Sequence, residues 1–251
     1  MQPLRIDTLR QRLTALGARP AHVQRVLRLW SLALPQDSGS RRIADFLPDS
    51  LLDALPALEA ELQGLARLRS QHPSEDGSVR LLVDLADGQT VESVLLPRGG
   101  LCVSSQVGCA VGCVFCMTGK DGLLRQVGGA EIVAQVVLAR TLRSVKKVVF
   151  MGMGEPAHNL DNVMDAIDLL GTVGNIGHKS LVFSTVGDPR VSSAFRKAGS
   201  NRRWRCRCTP PSPDCARNCC HARRGWTLRT WWRRGKPMHA AAATRSSTSG
   251  R

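Results

Sequence analysis

Apolar residues recur at helical spacing in the first third of the chain. One run has its apolar positions on a single helical face and ends at Gly17, and Pro20 begins a second run that reaches Trp30. The apolar positions of the first run are Ile6, Leu9, Leu13 and Leu16. A third, leucine-rich helix is predicted to begin at Pro48–Ser50. Residues 1–70 are therefore expected to form a small helical module.

The spacing then changes from helical to alternating. Ser78–Leu85 and Thr90–Leu96 alternate apolar and polar residues, and Asp87–Gly88 between them is a typical two-residue turn. A β-hairpin extension is predicted for residues 71–100.

From residue 101 onward, strand patterns alternate with helix patterns. Strands are predicted for Leu101–Val107, Val145–Met151 and Ser180–Ser184, with helices over Ala130–Leu142 and Leu160–Leu170. Strands interleaved with helices form parallel βαβ units, so residues 101–195 are expected to be the core of an α/β protein.

Charge separates the last segment from the rest. The 251-residue chain carries a net charge of +15. Residues 1–195 contribute 20 basic and 19 acidic side chains, hence +1, whereas residues 196–251 contribute 15 basic side chains and only Asp214, hence +14. One interpretation is a basic tail for RNA. However, this segment has a single Leu and no Ile or Val, too little apolar area to build a core.

The same tail reads like a coding sequence translated in the wrong frame. Regrouping plausible codons for Arg202–Thr209 by one base gives Ala-Leu-Ala-Leu-Ser-Leu-His, an alternating pattern that the written residues lack. Our hypothesis is a frameshift between about Val191 and Asn201. An unbroken reading frame through Arg202 and Trp231 in the resequenced gene would refute it.

The most specific chemical pattern is a set of three cysteines. Cys109, Cys113 and Cys116 have C-x3-C-x2-C spacing. Three thiolates can hold three irons of a 4Fe–4S cube, which normally takes four cysteines, and one iron is then free to bind a small molecule. The alternative is a zinc site, which needs a fourth Cys or His nearby. His158 and His178 are the nearest later histidines, and neither has zinc-finger spacing.

Two motifs around these cysteines narrow the interpretation further. Leu101-Cys-Val-Ser-Ser-Gln-Val-Gly-Cys109 and Met151-Gly-Met-Gly-Glu-Pro156 resemble the RlmN/Cfr family of radical S-adenosylmethionine (SAM) RNA methyltransferases. The resemblance is dense over residues 92–187 and absent from about residue 196. It implies a six-fold (βα) partial barrel, of which this chain encodes about half, preceded by an RNA-engaging helical module and the β extension.

The resemblance also implies roles for individual residues. Cys109, Cys113 and Cys116 would hold the 4Fe–4S cluster. SAM would be bound by Gly154 and Glu155 in the glycine-rich loop and by Ser184 at the end of the next strand. Glu155 would offer its carboxylate to the SAM ammonium group. Without the resemblance, the glycine would be an ordinary turn residue and the serine an ordinary cap.

Two further residues match family positions with catalytic roles. In the family that the sequence resembles, a C-terminal cysteine carries the methyl group to the adenine. The residue at the position of Cys102 releases the product, and the residue at the position of Glu92 accepts a proton. A lone Cys on an apolar strand is more often an inert core residue, and an outward strand Glu is more often a surface charge. The methyl-carrying cysteine belongs to a segment that this sequence does not contain in frame.

The resemblance therefore implies methylation of C2 of an adenosine in 23S rRNA, with tRNA as a second candidate substrate. It further implies an electron donor such as flavodoxin, and we expect a cytoplasmic monomer without membrane association. Adenine C8 methylation, another radical SAM activity and an inactive truncated product are the alternatives. Arg25, Arg28, Arg41 and Arg42 in the helical module could contact RNA phosphates or simply be solvated.

Overall fold

The computed structural model describes residues 4–39, 42–113, 116–186, 188, 190, 191 and 194, together with the backbone of 205–208. Three helices form where the apolar spacing predicts them: α1 (Ile6–Ala15), α2 (Pro20–Ser31) and α3 (Asp49–Gly64). Each buries the face that carries its periodic apolar residues, for example Ile6 and Leu9 in α1.

A three-stranded antiparallel extension follows the helices, consisting of β1 (Ala66–Pro73), β2 (Val79–Leu85) and β3 (Thr90–Leu96). The predicted hairpin is β2–β3. Strand β1 was not predicted and begins inside the range expected to be helical. Its outer half is exposed and it lies at the sheet edge, so its residues lack the apolar alternation of a half-buried strand.

The predicted strand Leu101–Val107 is divided in two. Strand β4 (Gly100–Val103) joins the main sheet, and β5 (Gln106–Gly108) pairs antiparallel with β6 (Leu123–Gln126) in a separate two-stranded sheet. The break falls at Ser104, whose backbone N–H and C=O are both hydrogen-bonded by the side chain of Gln135. These bonds replace the strand pairing that the apolar pattern alone would favour.

The rest of the core alternates as predicted. Helix α4 (Gly129–Leu142), strand β7 (Lys147–Phe150), helix α5 (Leu160–Thr172) and strand β8 (Leu181–Thr185) follow one another. The backbone of β9 (Arg205–Cys208) adds in parallel to β8. The sheet order is β1-β2-β3-β4-β7-β8-β9, antiparallel up to β4 and parallel from there. The α/β fold with a partial barrel is thereby confirmed.

The two faces of the parallel strands differ in their surroundings. Leu101, Val148, Phe150 and Phe183 belong to the main hydrophobic core. Residues on the opposite face, such as Cys102, are buried but lie outside that core, and Met151 just beyond β7 is 55% exposed. This second face is the one left available for a ligand.

Arg25, one of the four arginines that could contact RNA or be solvated, makes contacts inside the fold. The Arg25 guanidinium donates to the carbonyl oxygens of Gln36 and Ser38, at 3.2 and 3.1 Å, and lies over the ring of Phe46. These contacts hold the loop after α2. Arg28 and Arg42 are exposed, and Arg41 lies outside the described residues.

Within the described part of the chain, every helix is too short or too polar to cross a bilayer. Apart from the backbone of β9, the basic tail lies outside the described residues. The frameshift hypothesis, which concerns that tail, therefore stays a prediction.

Candidate functional site

The three predicted cluster cysteines lie on one loop that leaves β5 and returns through β6. Its neck is closed by the Cys109 N–H, which donates to the Gly122 carbonyl oxygen at 2.9 Å. Gly108 has φ +76°, and a side chain there would overlap that same carbonyl. Further along, the Cys116 N–H donates to the Cys113 carbonyl oxygen at 3.0 Å, which holds the backbones of the last two cysteines close together.

All three thiols are free: Cys109 is buried, Cys113 is half-buried and Cys116 is exposed. Among the described residues, no three His, Cys, Asp or Glu side chains are gathered closely enough to hold a metal ion. The donor set nevertheless fits an iron–sulfur cluster chemically, because three unpaired thiols lie on one closed, glycine-hinged loop.

The Gly152–Pro156 loop follows β7 at the carboxyl end of the parallel strands, where ligands bind in α/β folds. Gly154 has φ +93°, and a Cβ there would lie 2.6 Å from the Gln106 Cγ atom. A Cβ at Gly152 would lie 2.8 Å from the Val103 carbonyl carbon. The loop therefore packs flat against the segment that follows β4, and neither glycine position has room for a side chain.

Glu155 is 5% exposed, and its carboxylate is already engaged by the backbone. One oxygen accepts the Ala157 N–H and the other accepts the Val186 N–H, both at 3.0 Å. The carboxylate thus ties the loop after β7 to the end of β8, next to Ser184. Each oxygen retains a second lone pair, so it could still accept a bond from a ligand ammonium group.

A buried polar network lies under the glycine loop, and the sequence pattern did not reveal it. The Ser104 hydroxyl accepts the Met153 N–H at 2.7 Å and donates to the Glu92 carbonyl oxygen. The Gln135 side chain in turn binds the Ser104 backbone and accepts from the Ser93 hydroxyl at 2.9 Å. The only sequence signal was a run of polar residues, Ser-Ser-Gln, inside an otherwise apolar strand.

Strand register places the remaining predicted site residues on one sheet face. Cys102 lies opposite Val94 on β3 and beside Val149 on β7. Glu92 is two residues from Val94, and Ser184 is two residues beyond Val182, which neighbours Val149. Because side chains alternate along strands, Cys102, Glu92 and Ser184 share the face outside the main core.

Burial changes the chemistry of Cys102. Desolvation raises the pKa of its thiol from 9.0 to about 11, against a smaller opposing hydrogen bond from the Met151 backbone. The group is therefore a neutral thiol at neutral pH. The Glu92 carboxylate is 41% exposed and pairs with Arg80 at 3.3 Å.

A semi-buried ion cluster braces the cysteine loop. Arg125 on β6 binds both oxygens of Glu131 at 2.9 Å, and its Nε lies 2.6 Å from an Asp87 oxygen on the β2–β3 turn. Burial pushes the pKa of Asp87 up, but hydrogen bonds from Arg125 and from the Gln89 N–H outweigh it and leave that pKa below its usual range. The extension, β6 and α4 are thereby joined.

An open cleft of about 420 Å³ lies between the β extension and the cysteine loop. Arg69 and Thr90 contribute to one wall, while Gly108 and Met117 contribute to the other, with Met153 at the glycine-loop side. Met117 is 75% exposed, so the cysteine loop presents an apolar side chain at this opening.

The chain is similar to known proteins in sequence and in fold. Residues 103–204 match the model of the radical SAM superfamily. A protein of Leptothrix cholodnii named "Probable RNA methyltransferase" is 77% identical over 188 residues, which cover 75% of this chain and 54% of that protein. A protein of Azoarcus sp. with the same descriptive name is 76% identical over 188 residues, with the same two coverages.

The fold also matches a solved structure. A radical SAM methyltransferase from Sphaerobacter thermophilus superposes with a TM-score of 0.61 at 30% identity, covering 81% of this chain and 61% of that one. The chain spans about half the length of the curated relatives that it matches. These matches confirm the resemblance of the sequence motifs to radical SAM methyltransferases. Residues 103–204 of the chain therefore carry a radical SAM domain, and the fold around them is similar to that of a radical SAM methyltransferase.

Proposed function

We propose that this chain is the cofactor-binding part of a radical SAM RNA methyltransferase. Cys109, Cys113 and Cys116 would hold a 4Fe–4S cluster, and the loops after β7 and β8 would hold SAM. The observation that carries the proposal is that the loop with three free thiols and the Gly152–Pro156 loop lie side by side, joined through Gln106 and Glu155. The names of the relatives support RNA as the substrate.

When bound, the cluster and SAM would supply a 5′-deoxyadenosyl radical. Gly154 lets the glycine loop pack against Gln106, and Glu155 holds the loop against β8 through the Val186 N–H. Ser184 lies at the end of β8 on the face outside the core, where a hydroxyl could bind the cofactor. The tight packing of the glycine loop keeps water away from its inner side.

The proposed target is C2 of an adenosine in 23S rRNA, with tRNA as the second candidate. On this proposal the Cys102 thiolate attacks the sulfur of the thioether that joins the methyl-carrying cysteine to the RNA. A disulfide forms as the carbon–sulfur bond breaks, and the electron pair of that bond goes to the adenine of the product. The raised pKa of Cys102 means that the thiol must lose a proton as it attacks, and Glu92 on the same face is the proposed acceptor. The methyl-carrying cysteine, an electron donor such as flavodoxin, a monomeric state and a cytoplasmic location belong to the same proposal.

Anaerobic reconstitution of the 251-residue chain with iron and sulfide tests the proposal. We expect bound iron and sulfide with cluster-type absorbance and, after addition of a chemical reductant such as dithionite, cleavage of SAM to methionine and 5′-deoxyadenosine. Cys109→Ala should lose most of the iron, whereas the control Cys102→Ala should keep it, because Cys102 lies on β4 outside the loop. Zinc in place of iron and sulfide would overturn the proposal.

RNA specificity needs a second measurement. Incubation of the reconstituted protein with 23S rRNA fragments and tRNA, followed by mass spectrometry of nucleosides, separates methylation at C2 from methylation at C8. SAM cleavage without any methylated adenosine would identify a radical SAM activity that this chain cannot complete as a methyl transfer.

A further inference from the structure

Gln106 is fully buried and uses both ends of its side chain amide. Its Oε1 atom accepts the Glu155 N–H at 2.7 Å, and its Nε2 atom donates to the Gln126 Oε1 atom at 2.9 Å. Its backbone N–H donates to the Met153 carbonyl oxygen at 3.2 Å. The side chain therefore joins the glycine loop to strand β6.

The two loops are those of the proposed site. Gln106 lies on β5, three residues before Cys109, so it is part of the strand that enters the cysteine loop. Glu155 and Met153 lie on the glycine loop after β7. The missing side chain of Gly154 is what allows this approach, because a Cβ there would lie 2.6 Å from the Gln106 Cγ atom.

The contact continues into the opposite wall of the loop neck. Gln126 on β6 pairs with Gln106 across the two-stranded sheet, and its Nε2 atom donates to the His158 carbonyl oxygen at 3.1 Å. The carboxyl side of the glycine loop and the turn that follows it are therefore held at two points, at Glu155 directly and at His158 through Gln126. A displacement of β5 and β6 must move the glycine loop with them.

We propose that Gln106 is a positioning residue that fixes the glycine loop relative to the cysteine loop, so that a cofactor bound by one meets the group held by the other. This inference rests on the proposed function. It assigns no contact between Gln106 and a cofactor. Gln106 acts through the backbone of Met153–Glu155, whose direction it sets by hydrogen bonds and close packing.

Three variants test the inference. Gln106→Met keeps the length of the side chain and removes both polar ends. Gln106→Glu, whose buried carboxyl group would carry a proton, keeps one acceptor for Glu155 and one donor for Gln126. The matched control is Gln36→Met, which removes another buried glutamine, one whose Nε2 atom donates to the Val26 carbonyl oxygen of α2 at 3.0 Å.

Hydrogen exchange gives a readout that needs no cofactor. The Glu155 amide should exchange at least tenfold faster in Gln106→Met, because its acceptor is gone. It should return toward the original rate in Gln106→Glu and stay unchanged in Gln36→Met. Iron loading of Gln106→Met should match that of the original chain, because all three cysteines remain.

SAM binding, measured by equilibrium dialysis on reconstituted protein, gives the second readout. We expect the dissociation constant to rise about tenfold in Gln106→Met, equivalent to about 1.4 kcal/mol, with recovery in Gln106→Glu and no change in Gln36→Met. Equal exchange of the Glu155 amide and equal SAM affinity in Gln106→Met would overturn the inference. Failure of the original chain to load iron or bind SAM would instead overturn the proposed function, and the exchange rates would still decide whether Gln106 holds the loop.

Discussion

Replacing Gly154 by alanine should destabilise the fold through two separable effects. The first is conformational, because φ +93° is a backbone state that residues with a Cβ rarely adopt. A left-handed conformation costs an L residue about 1–2 kcal/mol. The second is steric, because the new Cβ would lie 2.6 Å from the Gln106 Cγ atom. Carbon atoms prefer separations of about 3.5–4.0 Å, so one of the two segments must move.

The steric part can be isolated with a matched control. Gly88, on the β2–β3 turn, has φ +83°, but no atom lies within 4 Å of a Cβ built there. Gly88→Ala should therefore cost only the conformational term, about 1–2 kcal/mol. Overpacking in a filled site adds about 1–3 kcal/mol, which sets the expected total for Gly154→Ala at about 2–5 kcal/mol.

The assay is equilibrium unfolding in urea, followed by circular dichroism, with the free energy of unfolding compared at constant m-value. The difference between the two variants measures the overlap with Gln106. If Gly154→Ala is no more destabilising than Gly88→Ala, the close packing of the glycine loop against β5 is refuted. The description of the site as two interlocked loops would then fail with it.

Three further outcomes are expected. Because burial raises the pKa of Cys102 from 9.0 to about 11, its folded form contributes stability that is present below about pH 9 and lost as the pH rises through about 11. Cys102→Val should flatten that alkaline decline in thermal unfolding, and identical slopes would contradict the burial. Arg125→Met leaves the buried Glu131 carboxylate without its ion-pair partner and should lower the free energy of unfolding by about 3 kcal/mol. Arg80→Met breaks the exposed pair with Glu92 and should lower it by less than about 1 kcal/mol. Equal losses of the two variants in urea unfolding would refute the role of Arg125 in bracing the cysteine loop. Gln135→Met removes the side-chain amide that hydrogen-bonds the buried Ser93 and Ser104, and should lower the free energy of unfolding by about 2–3 kcal/mol. The control Gln24→Met, at an exposed position, should leave it unchanged.

Local patterns in the sequence were sufficient for most of the secondary structure. Helices α1 and α2 follow directly from apolar spacing, since a helix buries every third or fourth residue whatever it packs against. The alternation of strands and helices after residue 100 likewise predicts a parallel sheet, because successive parallel strands need a crossover between them. Strand β1 was not predicted, because an edge strand that is exposed along half its length does not alternate apolar and polar residues.

The residue types of the candidate site could also be chosen from the sequence. The cysteine spacing and the glycine motif each lie within a few consecutive residues, so they can be recognised without knowledge of the fold. The roles of Gln106, Ser104 and Gln135 could not be found this way. Each of them contacts residues 31 to 49 positions away, and a polar residue in an apolar run gives no sign of its partner.

The sequence by itself thus determined which elements form and which loop carries three thiols. Only the tertiary structure decided that β5 leaves the main sheet at Ser104, that both Glu155 oxygens hold backbone N–H groups, and that Gln106 joins the two loops. The physical reason is that a buried polar group must find a hydrogen-bond partner, and the partner is supplied by whichever segment the fold brings within 3 Å, roughly the length of one such bond.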